Sequence, residues 1–217
     1  MQSASHPGLA RPVWIALGAV SIVFHLWLIF SGLVPNLVSR PLHMALALPW
    51  ALIFVAKTPW QKISGMVLTA IGLFGCGWIA LHHSELSDQY GFLADNFQII
   101  VSLAVLLIVL EMARRAIGWP LPLVASLALA YGFWGQYIPG EFGHGGLPVE
   151  SMLGTLTIAE GGLWGSLTGV SVSIVAIFVI FGAVLNAGEA GQGFMNVAGA
   201  AAGRLRGGAA KVSVISS

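Results

Sequence analysis

The sequence predicts an all-α polytopic membrane protein with about six transmembrane helices plus interfacial helices. Three observations carry this. Of the 217 residues 57% are hydrophobic and only 8% are charged, against about 25% charged in soluble domains. The apolar residues gather in long unbroken runs rather than in short alternating stretches, which suits helices and not a barrel. The basic residues fall in alternate gaps between those runs. So few charges could not cover a water-exposed globule, but the same surface is stable with lipid as solvent.

Six apolar stretches follow in order: Val13–Leu33, Leu42–Ala56, Ile63–Leu81, Phe97–Met112, Leu121–Ile138 and Leu167–Ala187. A helix needs about 20 apolar residues to cross the hydrocarbon core. The first, third, fifth and sixth reach that length. The second and fourth need flanking residues, and the second contains Pro49, which removes a backbone donor and predicts a kink. The first run exceeds the roughly 7–15 apolar residues of a cleaved signal and reads as an uncleaved first span. Leu147–Ile158 and Gly191–Arg206 read as interfacial helices on the outer and inner sides.

With the N-terminus inside, Arg11, Lys57, Lys62, Arg114, Arg115, Arg204, Arg206 and Lys211 all lie inside, and only Arg40 lies outside. The positive-inside rule selects that orientation. Glu85, Asp88, Asp95, Glu141, Glu150 and Glu160 then lie in outer loops. Trp60, Trp119, Trp134 and Trp164 stand near span ends, where aromatic belts form. Gly161, Gly165 and Gly169 repeat at a spacing that permits close helix packing.

Few residues offer chemistry. Net charge is +1, which gives no basic footprint for nucleic acid. The lone Cys76 sits in an apolar run and cannot form an internal disulfide. No G-x-x-x-x-G-K-[ST] loop is present, so ATP hydrolysis is not expected. No cofactor is expected, and the chain does not read as an enzyme. His82, His83, Glu85 and Asp88 could hold a metal, but lack the i, i+4 histidine spacing of a helical zinc site. A solvated loop face is the favoured reading there. His25 lies mid-span and could relay protons, although a neutral histidine bonded to a neighbouring helix is favoured. Glu111 stands at helical spacing from Arg114 and Arg115, which predicts a local ion pair. Thr168, Ser171 and Ser173 could line a polar path, with back-bonding to their own helix favoured. Glu160, a carboxylate between Ala159 and the Gly161-Gly162 pair, could gate or coordinate a cation; a charged helix-start residue is the plainer reading.

From residue 113 onward a linked series of motifs appears: Ala113-Arg-Arg-Ala-Ile-Gly-Trp-Pro-Leu-Pro, Ala130-Tyr-Gly-Phe-Trp-Gly-Gln-Tyr-Ile-Pro-Gly, Ala159-Glu-Gly-Gly-Leu-Trp-Gly, Gly169-Val-Ser, Phe178-Val-Ile-Phe-Gly-Ala-Val-Leu-Asn-Ala-Gly and Gly203-Arg-Leu-Arg-Gly-Gly-Ala-Ala-Lys-Val. In that order they resemble the fused permeases of tripartite ATP-independent periplasmic (TRAP) transporters, of the type linked to TAXI binding proteins. The resemblance implies a small four-helix membrane domain over residues 1–112 and the start of a large transport domain over residues 113–217. It also implies a bacterial inner-membrane location with a cytoplasmic N-terminus, and sodium as the coupling ion. The implied partners are a TAXI-type periplasmic substrate-binding protein, the lipid bilayer and a small organic-acid substrate. By this resemblance the chain ends as the first re-entrant hairpin begins, so an N-terminal fragment inactive alone is expected. Glu160, Ser216 and Ser217 are the candidate substrate- or ion-binding residues. The alternative reading is a non-transporting membrane scaffold or assembly subunit.

Overall fold

In the computed structural model, residues 11–159, 161–189, 191–193, 196, 197 and 200 are described. Among them every regular element is helical. The long helices are α1 (Arg11–Phe30), α2 (Asn36–Pro49), α3 (Pro59–Leu81), α5 (Asn96–Ile117) and α6 (Pro120–Trp134). The shorter ones are α4 (His83–Asp88), α7 (Val149–Thr157), α8 (Ser166–Val170) and α9 (Ala176–Ala187). Wide π-helical turns continue α2 over Trp50–Phe54 and join α8 to α9 over Ser171–Val175. Two compact units divide between Ser173 and Ile174.

Five helical runs among the described residues are long and apolar enough to cross a membrane: Arg11–Phe30, Asn36–Phe54, Pro59–Leu81, Asn96–Ile117 and Ser166–Ala187. The expected span Leu121–Ile138 differs. Its α-helix ends at Trp134 and passes into a 3₁₀ turn over Gly135–Tyr137. Fifteen residues of α-helix rise about 22 Å, short of the roughly 30 Å hydrocarbon core. The 3₁₀ turn adds about 6 Å, so that the two together approach it.

Local chemistry explains the boundaries. Thr58 caps α3 by accepting a hydrogen bond from the Gln61 amide, and Pro59 occupies the first turn, where its missing N–H costs nothing. Asp95 caps α5 through the Gln98 amide at 2.8 Å. Gly118, with φ at 89°, ends α5, a conformation that a side chain would strain. Pro49 stands directly before the first π turn, so the expected kink takes the form of a widened turn.

The core lies between α2, α3, α5 and α7, built from Met44, Cys76, Ile79, Val105 and Leu153. A second cluster joins Leu48, Leu52 and Ile108. The helix expected over Leu147–Ile158 forms as α7, and Leu153, Gly154 and Thr157 on it are buried against the bundle. Its docking depends on Gly154, where a Cβ would strike the Gly91 carbonyl. The residues around α4, expected as a loop, form a short helix with buried Leu86. Gly161 and Gly165 lie ahead of α8 rather than within it, so their spacing with Gly169 does not build a helix–helix groove. The segment Gly191–Arg206 lies largely outside the described residues.

Candidate functional site: polar ties across the helix bundle

Polar side chains inside a bilayer must find partners within the protein. In the unit ending at Ser173 they do so in three places, each joining the first spans to a later part of the chain.

The first tie runs from α1 through α2 to Ser171. His25 Nδ1 lies 2.6 Å from the Ser21 carbonyl oxygen. His25 Nε2 lies 2.8 Å from His43 Nδ1, and His43 Nε2 lies 3.1 Å from Ser171 Oγ. A carbonyl can only accept, so His25 carries its hydrogen on Nδ1. For two neutral imidazoles every later bond is then fixed. His43 Nδ1–H donates to His25 Nε2, and the Ser171 hydroxyl donates to His43 Nε2. All four groups are satisfied without a buried charge. The sequence reading of His25 as a neutral histidine bonded to a neighbouring helix matches this arrangement. His43 was not singled out, because one histidine in an apolar helix carries no signal until its partner is known. Ser171 reaches across to α2, where back-bonding was favoured. Ser173 does back-bond, to Gly169, and Thr168 donates to Leu163.

The second tie is centred on Trp164, which is fully buried. Its indole N–H donates to the Thr157 carbonyl at 2.6 Å. The Thr157 hydroxyl lies 2.7 Å from both Ser102 Oγ on α5 and the Leu153 carbonyl. The Trp164 carbonyl accepts from the Arg40 guanidinium of α2. The guanidinium packs where a Cβ on Gly169 would lie, so a side chain there would push the Arg40 end aside. Trp164 was expected in an aromatic belt, and it is instead a buried bracket. Arg40, expected in an outer loop, lies within α2.

The third tie closes the opposite end of α5. Glu111 accepts from Arg114 Nε at 2.6 Å and from Arg115 Nε at 2.7 Å, as the spacing predicted. Arg115 goes further. Its Nη1 donates to the Leu52 and Gln61 carbonyls at 2.8 and 2.9 Å, and its Nη2 donates to Ser64 at 3.0 Å. Leu52 belongs to the π turn that ends the α2 run, and carbonyls in a last helical turn lack intrahelical partners. Gly65 makes room, since a Cβ there would meet both that carbonyl and Arg115.

A model of the DctM component of the tripartite ATP-independent periplasmic transporters matches residues 104–217, just over half of the chain. The chain belongs to this family. Comparisons with curated proteins and with solved structures return no match. As a DctM-family member it is a multi-pass membrane permease, a transporter component rather than an enzyme, of a system that works with a periplasmic binding protein. The DctM match begins inside α5. All three ties therefore connect residues before the match (Arg40, His43, Leu52, Gln61, Ser64, Ser102) to residues within it (Arg115, Thr157, Trp164, Ser171).

The candidate substrate- or ion-binding residues Glu160, Ser216 and Ser217 lie outside the described residues, as do Arg204, Arg206 and Lys211. Among the described residues no three or more His, Cys, Asp or Glu side chains come together to hold a metal. His82 stacks on Trp78, with ring centroids 4.6 Å apart, and bonds the Trp78 carbonyl.

Proposed function

We propose that the chain is the membrane permease component of a sodium-coupled secondary transporter for organic acids. A TAXI-type periplasmic binding protein delivers the acid, and the sodium gradient drives uptake without ATP. The observation that carries this is the DctM match over residues 104–217, together with the TAXI-linked motif order from residue 113. In this reading residues 1–112 form the small domain that braces the scaffold. Residues 113–217 belong to the large domain, which moves substrate in an elevator-like motion. Glu160, Ser216 and Ser217 contribute to the ion or substrate path. The protein resides in the bacterial inner membrane with its N-terminus cytoplasmic, in accord with the eight-to-one division of basic residues.

The test is uptake of labelled organic acid into proteoliposomes with an inward sodium gradient and the cognate binding protein. Uptake that depends on the sodium gradient is expected. Uptake that ignores the sodium gradient refutes the coupling. Orientation is read separately, by labelling cysteines at Ser3 and Ser213 from each side. Labelling from the outside alone refutes the cytoplasmic N-terminus.

A further inference from the structure

The third tie leaves basic groups over. Where the π turn Trp50–Phe54 leads into α3, a recess of about 140 Å³ opens against the end of α5, lined by Val55, Ala56, Lys57, Gln61, Arg114 and Arg115. The guanidinium of Arg115 is largely committed, since all three of its nitrogens donate to Glu111, Leu52, Gln61 or Ser64. Arg114 uses Nε and Nη2 on Glu111. Among the described residues its Nη1 has no partner, and no carboxylate pairs with the Lys57 ammonium. The recess thus holds three cations, Lys57, Arg114 and Arg115, against the single carboxylate of Glu111. That surplus positive charge comes with unused N–H donors, the combination that recognises a phosphate.

Position identifies the kind of phosphate. The spans Asn36–Phe54, Pro59–Leu81 and Asn96–Ile117 all have an end at this recess, which puts it at the level of the lipid headgroups. Trp60 and Trp119 are exposed beside it in sequence, as amphipathic rings are at a membrane boundary. Arg114 lies over the Trp119 ring, 5.2 Å from its centroid, which orients the guanidinium while its Nη1 stays open. Exposed Ile63 and Leu107 continue the apolar surface along α3 and α5, where acyl chains would lie. We propose that this recess is a binding site for the phosphate of an anionic phospholipid, held by Lys57, Arg114 and the Gln61 side-chain amide.

The test is native mass spectrometry of the full chain in detergent, supplied with phosphatidylglycerol, phosphatidylcholine or inorganic phosphate. The chain should retain phosphatidylglycerol over phosphatidylcholine by about fivefold or more, the factor one basic residue contributes near an anionic surface. Lys57→Gln should lower that retention about fivefold, and Lys57→Arg should restore it. Lys62→Gln removes an equal charge outside the recess and should leave retention unchanged. Three outcomes would each overturn the proposal. One is equal retention of the two lipids by the native chain, which needs no variant to fold. Another is an equal loss from Lys57→Gln and Lys62→Gln, which would mean diffuse charge. The last is displacement of phosphatidylglycerol by equimolar inorganic phosphate, which would make the site one for free anions.

Discussion

Two adjacent helices, α1 and α2, divide polarity in the reverse of the pattern in a water-soluble protein. Between Arg11 and Phe30, α1 is almost wholly apolar, yet only 11% of its most apolar stretch is buried. By contrast α2 carries Ser39, Arg40, His43 and two prolines, and with its π turn it is 44% buried. In water the apolar helix would be the interior one. In a bilayer the outer surface is the cheap place for Ile and Val, and polar side chains go where other protein groups can satisfy them. Between these two helices burial therefore follows polarity rather than hydrophobicity. If so, substitutions should be costly where α2 and its π turn meet α3 and α5, and nearly free along α1 away from its buried Trp14 and His25.

The largest effect is expected at Arg115. Its side chain is only 8% exposed and donates to the Leu52 carbonyl from across the bundle. Arg115→Ala should destabilise the protein by about 3–5 kcal/mol, as is usual when one partner of a buried pair is removed. Arg114, 29% exposed, should cost about 1 kcal/mol or less on the same change. Unfolding in a graded detergent mixture reads both. Equal losses would show that Arg115 is no more than half of a surface ion pair.

A smaller effect separates two glycines. The Cβ of Gly65→Ala would run into the backbone at Leu52 and crowd Arg115, and backbone cannot move aside as a side-chain end can. The expected cost is about 1–3 kcal/mol. For Gly18→Ala the nearest atom is Trp50 at 4.0 Å, ordinary contact, and the helix gains up to about 1 kcal/mol of propensity. Thermal denaturation in detergent checks the pair. A destabilised Gly18→Ala would place α1 closer to Trp50 than ordinary contact.

Apolar runs made most of the fold legible and left the polar ties hidden. The starts of α1, α3 and α5 lay within a few residues of the expected stretches. For α2 the expected Leu42 start missed six residues, because Ser39, Arg40 and Pro41 look like loop to a hydropathy reading and are helix in the structure. The end of α5 was set too early for the same reason, at Met112 instead of Ile117, since Arg114 and Arg115 interrupt the apolar pattern. Glu111 was legible in the sequence because its partners stand three and four residues away. His43 and Arg40 were not, because their partners lie 18 to 128 residues distant. No local spacing encodes such pairs. The family motifs pointed past residue 113, and the ties show that half of each connection lies before it.

The finest distinction concerns how α1 is held at all. Two contacts join it to α2 and its π turn: an aromatic cluster of Trp14 with Trp50 and Phe54, at centroid distances of 4.8 and 5.1 Å, and the His25–His43 bond. A double-mutant cycle separates them. His25→Leu and His43→Leu should each destabilise, and the pair together should cost less than the sum of the singles. Interhelical hydrogen bonds in membranes contribute about 0.6 kcal/mol on average and up to about 1.7, so the coupling energy should fall in that range. Ser171→Ala supplies a second cycle with His43. With the Ser171 hydroxyl as donor, its loss leaves His43 Nε2 unpaired, and coupling of similar size is expected. If the directional chain derived above holds, nitrogen chemical shifts should find the hydrogen on Nδ1 of both histidines. Hydrogen on Nε2 of His25 would break the terminus at the Ser21 carbonyl, and hydrogen on Nε2 of His43 alone would set two acceptor nitrogens against each other between the rings. Coupling near zero in both cycles would leave the aromatic cluster as the anchor of α1, and the helix would then be fixed by packing alone.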